Sequence, residues 1–250
     1  MVNSKTVAAT AVFTAFVAAT TMAFSIYIPV TKGYFDIGEI MVYIVAMLMG
    51  PYVGAFAGGI GSAISDAVLA PQYAPGTLVI KGAEGFLVGL LTARGVARLT
   101  EKAWKVTSAA VGAALGTLIG WVGATSLSGP EQLSVGFPSV GPQFYASFYV
   151  PWVLWVFVGA ATFLLVMVGC MRLDPMLGWT LISILVGGSA MVIGYFLFES
   201  LVLRLGFVTA SVEVPINIGQ VLVGLMVSIP VVRSIRRVTG NPGRNRDSTP

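Results

Sequence analysis

Long apolar runs separated by short polar segments dominate the hydrophobic pattern of this chain. A helix needs about 20 apolar residues to cross the hydrocarbon core of a bilayer. The run from Ile37 to Ala70 is too long for one span, and we divide it at Gly50-Pro51 because proline suits the first turn of a helix. The pattern then predicts eight spans, at residues 6 to about 29, 37–49, 51–70, 77–97, 106–127, 149–171, 176–203 and 214–232.

The segments around these spans complete the predicted organisation. The short second span is expected either to be extended by Phe35 and Asp36 or to sit in thinned bilayer. The first apolar run is longer than the core of a typical signal peptide and is expected to be a membrane helix. Residues 128–147 are expected to form a polar loop. Residues 1–238 form a single transmembrane domain in this interpretation, and residues 239–250 form a disordered tail.

The composition supports a polytopic membrane protein. Of the 250 residues, 56% are hydrophobic and 10% are charged, whereas soluble domains carry about 25% charged residues. So few charges cannot solvate a globule of this size. The composition therefore excludes an ordinary soluble enzyme, a disordered protein and a nucleic-acid binder, and it predicts a multi-pass protein of the cell membrane.

The distribution of basic residues predicts the orientation. With an even number of spans both termini lie on one side, and a cytoplasmic amino terminus puts eleven of the fourteen basic residues inside. These are Lys5, Arg94, Arg98, Lys102, Lys105, Arg172, Arg233, Arg236, Arg237, Arg244 and Arg246. Lys32 and Arg204 fall outside, and Lys81 lies within a span. Because positive charge favours the cytoplasmic side, both termini are predicted to be cytoplasmic.

Several kinds of chemistry are missing from the sequence. Histidine is absent and Cys170 is the single cysteine, which removes the commonest metal ligand and any disulfide framework. The sequence has no GxxxxGK[ST] loop, no HExxH and no GxSxG, so the familiar ATPase and hydrolase sites are absent. We expect no enzyme activity, no metal and no cofactor.

Polar side chains collect in the predicted outer half of the spans. An ionisable residue inside a membrane is functional by default, and the candidates are Glu39, Asp66, Lys81, Glu84 and Glu199, with Asn217 and Gln220 opening the last span. Confinement to one half favours a pocket open to the outside over a pore lined along its length.

Each candidate also has a structural interpretation. Lys81 and Glu84 share a helix face, where they either neutralise each other or contact a ligand. Glu39 is expected to be an interfacial cap at a helix start. Asp66 and Glu199 either pair with another residue in a structural role or take part in function. The outer loop at residues 30–36 is either a lid or an interfacial anchor.

Small residues recur every fourth position on the first helix, at Ala11, Ala15, Ala19 and Ala23. Such a ridge allows another helix to pack closely. The partner is either a helix of the same chain or another membrane protein. Gly54, Gly58, Gly59 and Gly61 form a less regular surface of the same kind on the third span.

Three blocks resemble one family. They are FDIGEIMVYIVAMLMGPYVGAFAGGIGSAISD (35–66), YAPGTLVIKGAEGFLVGLL (73–91) and MVIGYFLFE (191–199). They resemble the substrate-binding S components of energy-coupling factor (ECF) transporters, above all the riboflavin-type branch. With the first and last helices the resemblance covers about 1–100 and 176–238. It implies a core of six helices, so residues 106–171 are interpreted as an inserted helix pair.

The resemblance implies a division of labour. An S component binds a vitamin or related small molecule outside, docks to a transmembrane T component that carries two cytoplasmic ATPases, and releases its cargo inside. The ridge Ala11, Ala15, Ala19 and Ala23 matches the family's docking motif. The expected substrate-binding residues are Tyr34, Phe35, Glu39, Tyr73, Lys81, Glu84, Glu199, Asn217 and Gln220. The alternative is a self-sufficient secondary transporter that uses Asp66, Glu84 or Glu199 as a proton relay.

Overall fold

The computed structural model describes residues 4–94, 101–126, 128–135, 144–172 and 175–239. Over these residues the chain forms α-helices, one π-helical turn and two β-hairpins. In chain order they are α1 (Ser4–Ala23), β1 (Ser25–Ile28), β2 (Gly33–Asp36), α2 (Glu39–Met49), α3 (Pro51–Leu69), α4 (Ala74–Arg94), α5 (Glu101–Ser126), β3 (Gly129–Val135), β4 (Phe144–Val150), α6 (Trp152–Arg172), α7 (Pro175–Leu197), a π-helical turn (Phe198–Val202), α8 (Phe207–Ser211) and α9 (Glu213–Val238).

The predicted all-α, polytopic helix bundle is confirmed. Six helical segments within the described residues are long and apolar enough to cross a membrane: Ser4–Ala23, Pro51–Leu69, Ala74–Arg94, Ser108–Thr125, Leu177–Val202 and Phe207–Val238. Two shorter apolar helical stretches, Glu39–Met49 and Trp152–Val168, account for the other two predicted spans. The predicted tail lies outside the described residues except for Thr239.

The first helix is shorter than the sequence pattern suggests, and this prediction was wrong. Helix α1 ends at Ala23, and β1 then pairs antiparallel with β2, from Ser25 opposite Asp36 to Ile28 opposite Gly33. Isoleucine and tyrosine in β1 favour strands as well as membrane helices, so apolar character could not separate the two. The expected extension of α2 by Phe35 and Asp36 is wrong for the same reason, because both residues lie in β2.

A second hairpin replaces most of the polar loop predicted at residues 128–147. Strands β3 and β4 pair antiparallel, with Gly129 opposite Val150 and Val135 opposite Phe144. Strand β3 lies beside β1, so both hairpins occupy the same end of the bundle. We call it the hairpin end, and the predicted topology puts it outside the cell.

Helix α2 forms the centre of the core. Val42, Tyr43, Val45 and Ala46 have no exposed surface, because α2 packs against α3, α4 and α9. At eleven residues the helix rises about 16 Å, well short of the roughly 30 Å hydrocarbon core. Gly50 then adopts a positive φ of 83° and lets α3 begin directly with Pro51.

Helices α3 and α4 approach each other through glycines. A Cβ added to Gly85 would lie 2.3 Å from the carbonyl oxygen of Gly54, and one added to Gly59 would lie 2.5 Å from that of Leu78. Only glycine permits a backbone contact this close. The glycine surface of α3 therefore packs inside the chain, and Gly61 likewise faces Val17 of α1.

The predicted inserted pair packs mainly on itself. Helices α5 and α6 meet along their length and touch α7 and α9 at few points. A Cβ at Gly116 would lie 2.6 Å from the carbonyl oxygen of Gly159, so glycine also permits this contact. The flanking helices meet directly, since Trp179 Nε1 of α7 donates to the Leu91 carbonyl of α4 at 2.7 Å. The interpretation of residues 106–171 as an inserted helix pair stays a prediction.

Candidate functional site

A partly open cavity lies at the hairpin end, with about 350 Å³ of space between the protein atoms when the open solvent at its mouth is included. The walls come from the first hairpin, the turn before α4 and helices α3, α4, α7 and α9, with the π-helical turn. The lining residues are Gly33, Tyr34, Asp36, Asp66, Tyr73, Lys81, Tyr195, Glu199, Glu213, Asn217 and Gln220.

The first hairpin closes one side of the cavity and is held by carboxyl groups. The Tyr34 hydroxyl donates to Asp66 of α3. Gln220 Nε2 of α9 donates to Asp36 at 3.0 Å, and the Gly38 backbone N–H donates to the other oxygen of Asp36 at 2.6 Å. These bonds fix strand β2 between α3 and α9, so residues 30–36 form a wall of the cavity.

The tip of the hairpin makes two further bonds. The Thr31 hydroxyl donates to Glu213 at the start of α9. The Tyr73 hydroxyl, from the turn before α4, donates to the Thr31 carbonyl at 3.0 Å. Thr31 is 2% exposed and Glu213 is 3% exposed, so this contact is removed from water. It closes the cavity between the hairpin and α9.

Burial alters the acidity of the groups on the hairpin. It raises the pKa of Asp36 above the usual range for a carboxyl group, and the nearby Lys81 ammonium opposes this shift. Burial also raises the pKa of the Tyr34 hydroxyl, and the negative charge of Asp66 adds to the effect. Tyr34 therefore remains a neutral hydrogen-bond donor at any physiological pH.

A buried ionic cluster forms the floor of the cavity. Lys81 pairs directly with Glu39 of α2, and its Nζ lies 3.6 Å from Glu84 Oε2. The Tyr43 hydroxyl donates to Glu84 Oε1 at 2.7 Å. Each of the three charged residues is at most 4% exposed. Such a cluster requires mutual pairing, because an isolated charge here would be very costly.

This cluster corrects two predictions. Glu39 does begin α2, but its carboxylate contacts Lys81 and does not act as an interfacial cap. The predicted pair of Lys81 with Glu84 is incomplete, because Lys81 pairs directly with Glu39. Helix α4 also begins at Ala74 and not at Thr77. Lys81 and Glu84 therefore lie about 10 and 15 Å from the start of the helix, nearly one turn further than a start at Thr77 would place them.

Asp66 is paired on both oxygens. It accepts bonds from Tyr34 and from the Thr77 hydroxyl of α4. The Thr77 hydroxyl is also 2.8 Å from the Tyr195 hydroxyl of α7. Asp66 thus joins the hairpin to α4 and, through Thr77, to α7.

Six of the nine predicted substrate-binding residues line the cavity: Tyr34, Tyr73, Lys81, Glu199, Asn217 and Gln220. The other three do not line it. Phe35 lies beside Gly219 of α9, and Glu39 and Glu84 lie behind Lys81 in the ionic cluster.

Sequence analysis missed three polar lining residues: Asp36, Tyr195 and Glu213. Asp36 and Glu213 flank predicted spans, where acidic residues normally face water. Tyr195 lies inside the third family-like block, which was the available signal for it. All three reach the cavity because the hairpin, α7 and α9 meet at this end.

The fold defines a multi-pass membrane protein with a polar cavity at one end of its helix bundle. A family model described as the S component of the ECF-type riboflavin transporter matches residues 1–135. The chain belongs to this family. The match runs from α1 into β3, so it includes α5, and Glu199, Glu213, Asn217 and Gln220 lie beyond it. The family comprises S components of transporters.

The chain is also similar to a protein from Pyrococcus woesei described as "Uncharacterized protein in gap 3'region". The two are 53% identical over 73 residues. The aligned region is 29% of this chain and 49% of that protein. The chain therefore spans about half the length of the curated relative it matches.

Proposed function

We propose that this subunit captures riboflavin from outside the cell and delivers it to the cytoplasm with an energising module of one T component and two ATPases. The observation that carries the proposal is the cavity at the hairpin end, in a chain that belongs to the riboflavin-type family. Tyr34, Tyr73 and Tyr195 supply aromatic surface, and Asn217 supplies an amide that both donates and accepts hydrogen bonds. A flavin needs apolar or aromatic walls and a few such polar contacts.

Riboflavin binding is tested on the purified, full-length chain. We expect flavin to co-purify from a host supplied with riboflavin, and riboflavin added to the emptied protein to lose fluorescence on binding. Other planar vitamins are titrated in competition. A chain that binds one of these in preference to riboflavin contradicts the proposed ligand and leaves the family assignment intact.

The alanine ridge on α1 supports the proposed partner. Ala11, Ala15, Ala19 and Ala23 are all exposed, while the residues that α1 buries within the chain are Val17, Ala18 and Thr21. The ridge therefore faces away from the helices against which α1 packs within the described residues. A smooth exposed ridge on a membrane helix suits close approach of another transmembrane helix, here that of the T component.

Ala15→Leu and Ala19→Leu are expected to separate binding from transport. A branched side chain on the ridge keeps a docking helix at a distance, so uptake should fall at least tenfold while ligand affinity of the isolated chain is unchanged. The matched control is Ala113→Leu, an exposed alanine on α5 away from the ridge. Normal uptake by both ridge variants, or equal loss in the control, counts against docking at this face.

The second candidate, a self-sufficient secondary transporter, is favoured by one observation: the acidic residues Asp66, Glu84 and Glu199 are buried. Uptake is measured in a host with and without the T component and ATPases. We expect no uptake without them. Uptake that persists without the module and is abolished by an ionophore would establish the second candidate.

A further inference from the structure

Glu199 lines the cavity and has a carboxyl oxygen that accepts no hydrogen bond from the described residues. Its side chain is buried, with 1% exposure. Its Oε2 atom has no hydrogen-bond partner among the described residues. A buried carboxyl oxygen without a donor is costly, so an unpartnered acceptor on a cavity wall indicates a donor on the ligand.

The local backbone brings Glu199 to the cavity. Glu199 is the second residue of the π-helical turn, in which the Leu203 N–H donates to the Phe198 carbonyl at 2.9 Å. Such turns occur often at functional sites, because the extra residue shifts side chains out of the α-helical register. The turn also places the Phe198 ring against Gly76 at the start of α4.

A second carboxyl group lies beside it. Glu213 also lines the cavity, and the two are close enough for their charges to interact. Oε1 of Glu213 already accepts a hydrogen bond from the Thr31 hydroxyl. Lys81, the basic residue on the cavity wall, is already paired with Glu39. This side of the cavity therefore offers acceptors, and no second cation faces them among the lining residues that the structure describes.

Acceptors of this kind select one part of a flavin. An unprotonated carboxyl oxygen accepts hydrogen bonds whether or not the other oxygen of the group carries a proton, and an amide both donates and accepts. The polar edge of the flavin ring alternates carbonyl acceptors with one N–H donor, which suits the amide of Asn217. The sugar-alcohol chain carries several hydroxyl donors, which suit two adjacent carboxyl groups.

We propose that Glu199, with Glu213 beside it, accepts hydrogen bonds from the hydroxyl-bearing chain of the ligand and so selects riboflavin over a flavin that lacks this chain. The inference rests on the proposed riboflavin function. It assigns to Glu199 the role of a specificity-determining residue, and it adds Glu213 to the ligand contacts.

The test compares riboflavin with lumiflavin, which has the same ring with a methyl group in place of the hydroxyl-bearing chain. Both are titrated against the purified full-length chain and against Glu199→Leu and Glu199→Gln. We expect the wild type to prefer riboflavin. Glu199→Leu should weaken riboflavin binding about tenfold or more, because it removes the acceptor and leaves a buried ligand hydroxyl unpaired, and should leave lumiflavin binding nearly unchanged. Glu199→Gln keeps one acceptor and should retain part of the preference.

Ser200→Ala is the matched control in the same π-helical turn. The Ser200 hydroxyl donates to the Phe196 carbonyl at 2.6 Å within the helix and does not line the cavity, so its loss should leave the preference unchanged. If Glu199→Leu weakens the binding of both flavins equally, or weakens the binding of neither, the proposal is overturned. The proposed binding of riboflavin is not affected by either result. If Glu199→Leu does not fold, the wild type alone provides the test. Equal affinity of the wild type for riboflavin and lumiflavin overturns the proposal. A wild type that binds neither flavin overturns the proposed function together with this subsite.

Discussion

Replacement of Lys81 by methionine is expected to destabilise the folded protein by about 3–5 kcal/mol. The substitution leaves Glu39 and Glu84 buried without a cation, at 1% and 0% exposure, and removal of one partner from a buried ion pair has a cost of this size. The measurement is a thermal melting curve of the purified chain in detergent. The melting temperature of Lys81→Met should fall by well over 5 °C.

A triple variant provides the control for this prediction. Glu39→Gln, Lys81→Met and Glu84→Gln together remove the charges along with their pairing, and exchange of a whole buried ion cluster for uncharged groups is often neutral. The triple variant should therefore melt close to the wild type. Replacement of Lys81 and Glu84 alone is a weaker test, because Glu39 would keep an unpaired charge. A Lys81→Met protein as stable as the wild type would contradict the assignment of Lys81 as the cation that stabilises the two buried carboxyl groups.

Gly85→Ala is expected to destabilise the protein by about 1–3 kcal/mol or more, the usual cost of overpacking. The new Cβ would lie 2.3 Å from the Gly54 carbonyl oxygen and 2.7 Å from the Gly54 carbonyl carbon. Both atoms belong to the backbone of α3, so relief of the contact requires the two helices to separate. Since the cavity is lined by Asp66 of α3 and Lys81 of α4, ligand affinity should fall with stability.

Gly82→Ala on the same helix is the matched control. Its Cβ would lie 3.5 Å from the nearest atom, the Ala55 carbonyl oxygen, which is an ordinary contact distance. Both substitutions raise helix propensity by about 1 kcal/mol, so the difference between their melting temperatures isolates the clash. Equal stability of the two variants would refute close packing of α3 on α4 at Gly85.

The sequence analysis located the helices well and their ends less well. Apolar length and proline position were sufficient to place α3, at Pro51–Leu69, within one residue of the prediction. They failed at the end of α1, because residues 25–28 are apolar in a strand as well as in a helix. Pairing with β2 decides between the two, and that partner is not local in sequence.

The site shows the same division. Intramembrane charge identified Lys81 and Glu199 as candidates, since their position in an apolar run is unusual whatever the fold. Intramembrane charge could not predict that Lys81 pairs with Glu39, because the two residues are 42 positions apart in the sequence. They meet only where α2 packs against α4. The i,i+3 relation with Glu84 was the visible one, and it is the longer of the two contacts.

The sequence by itself determined the class of the protein: its low charge and long apolar runs require a membrane, and its family-like blocks indicate a transporter subunit. Only the tertiary structure decided which polar groups face the cavity. Asp36 and Glu213 adjoin predicted spans and would be expected to face water, but the hairpin that follows α1 folds against α3 and α9 and buries both. The physical reason is that hydrophobicity is a property of each residue, whereas the pairing of a buried polar group depends on which helices meet around it.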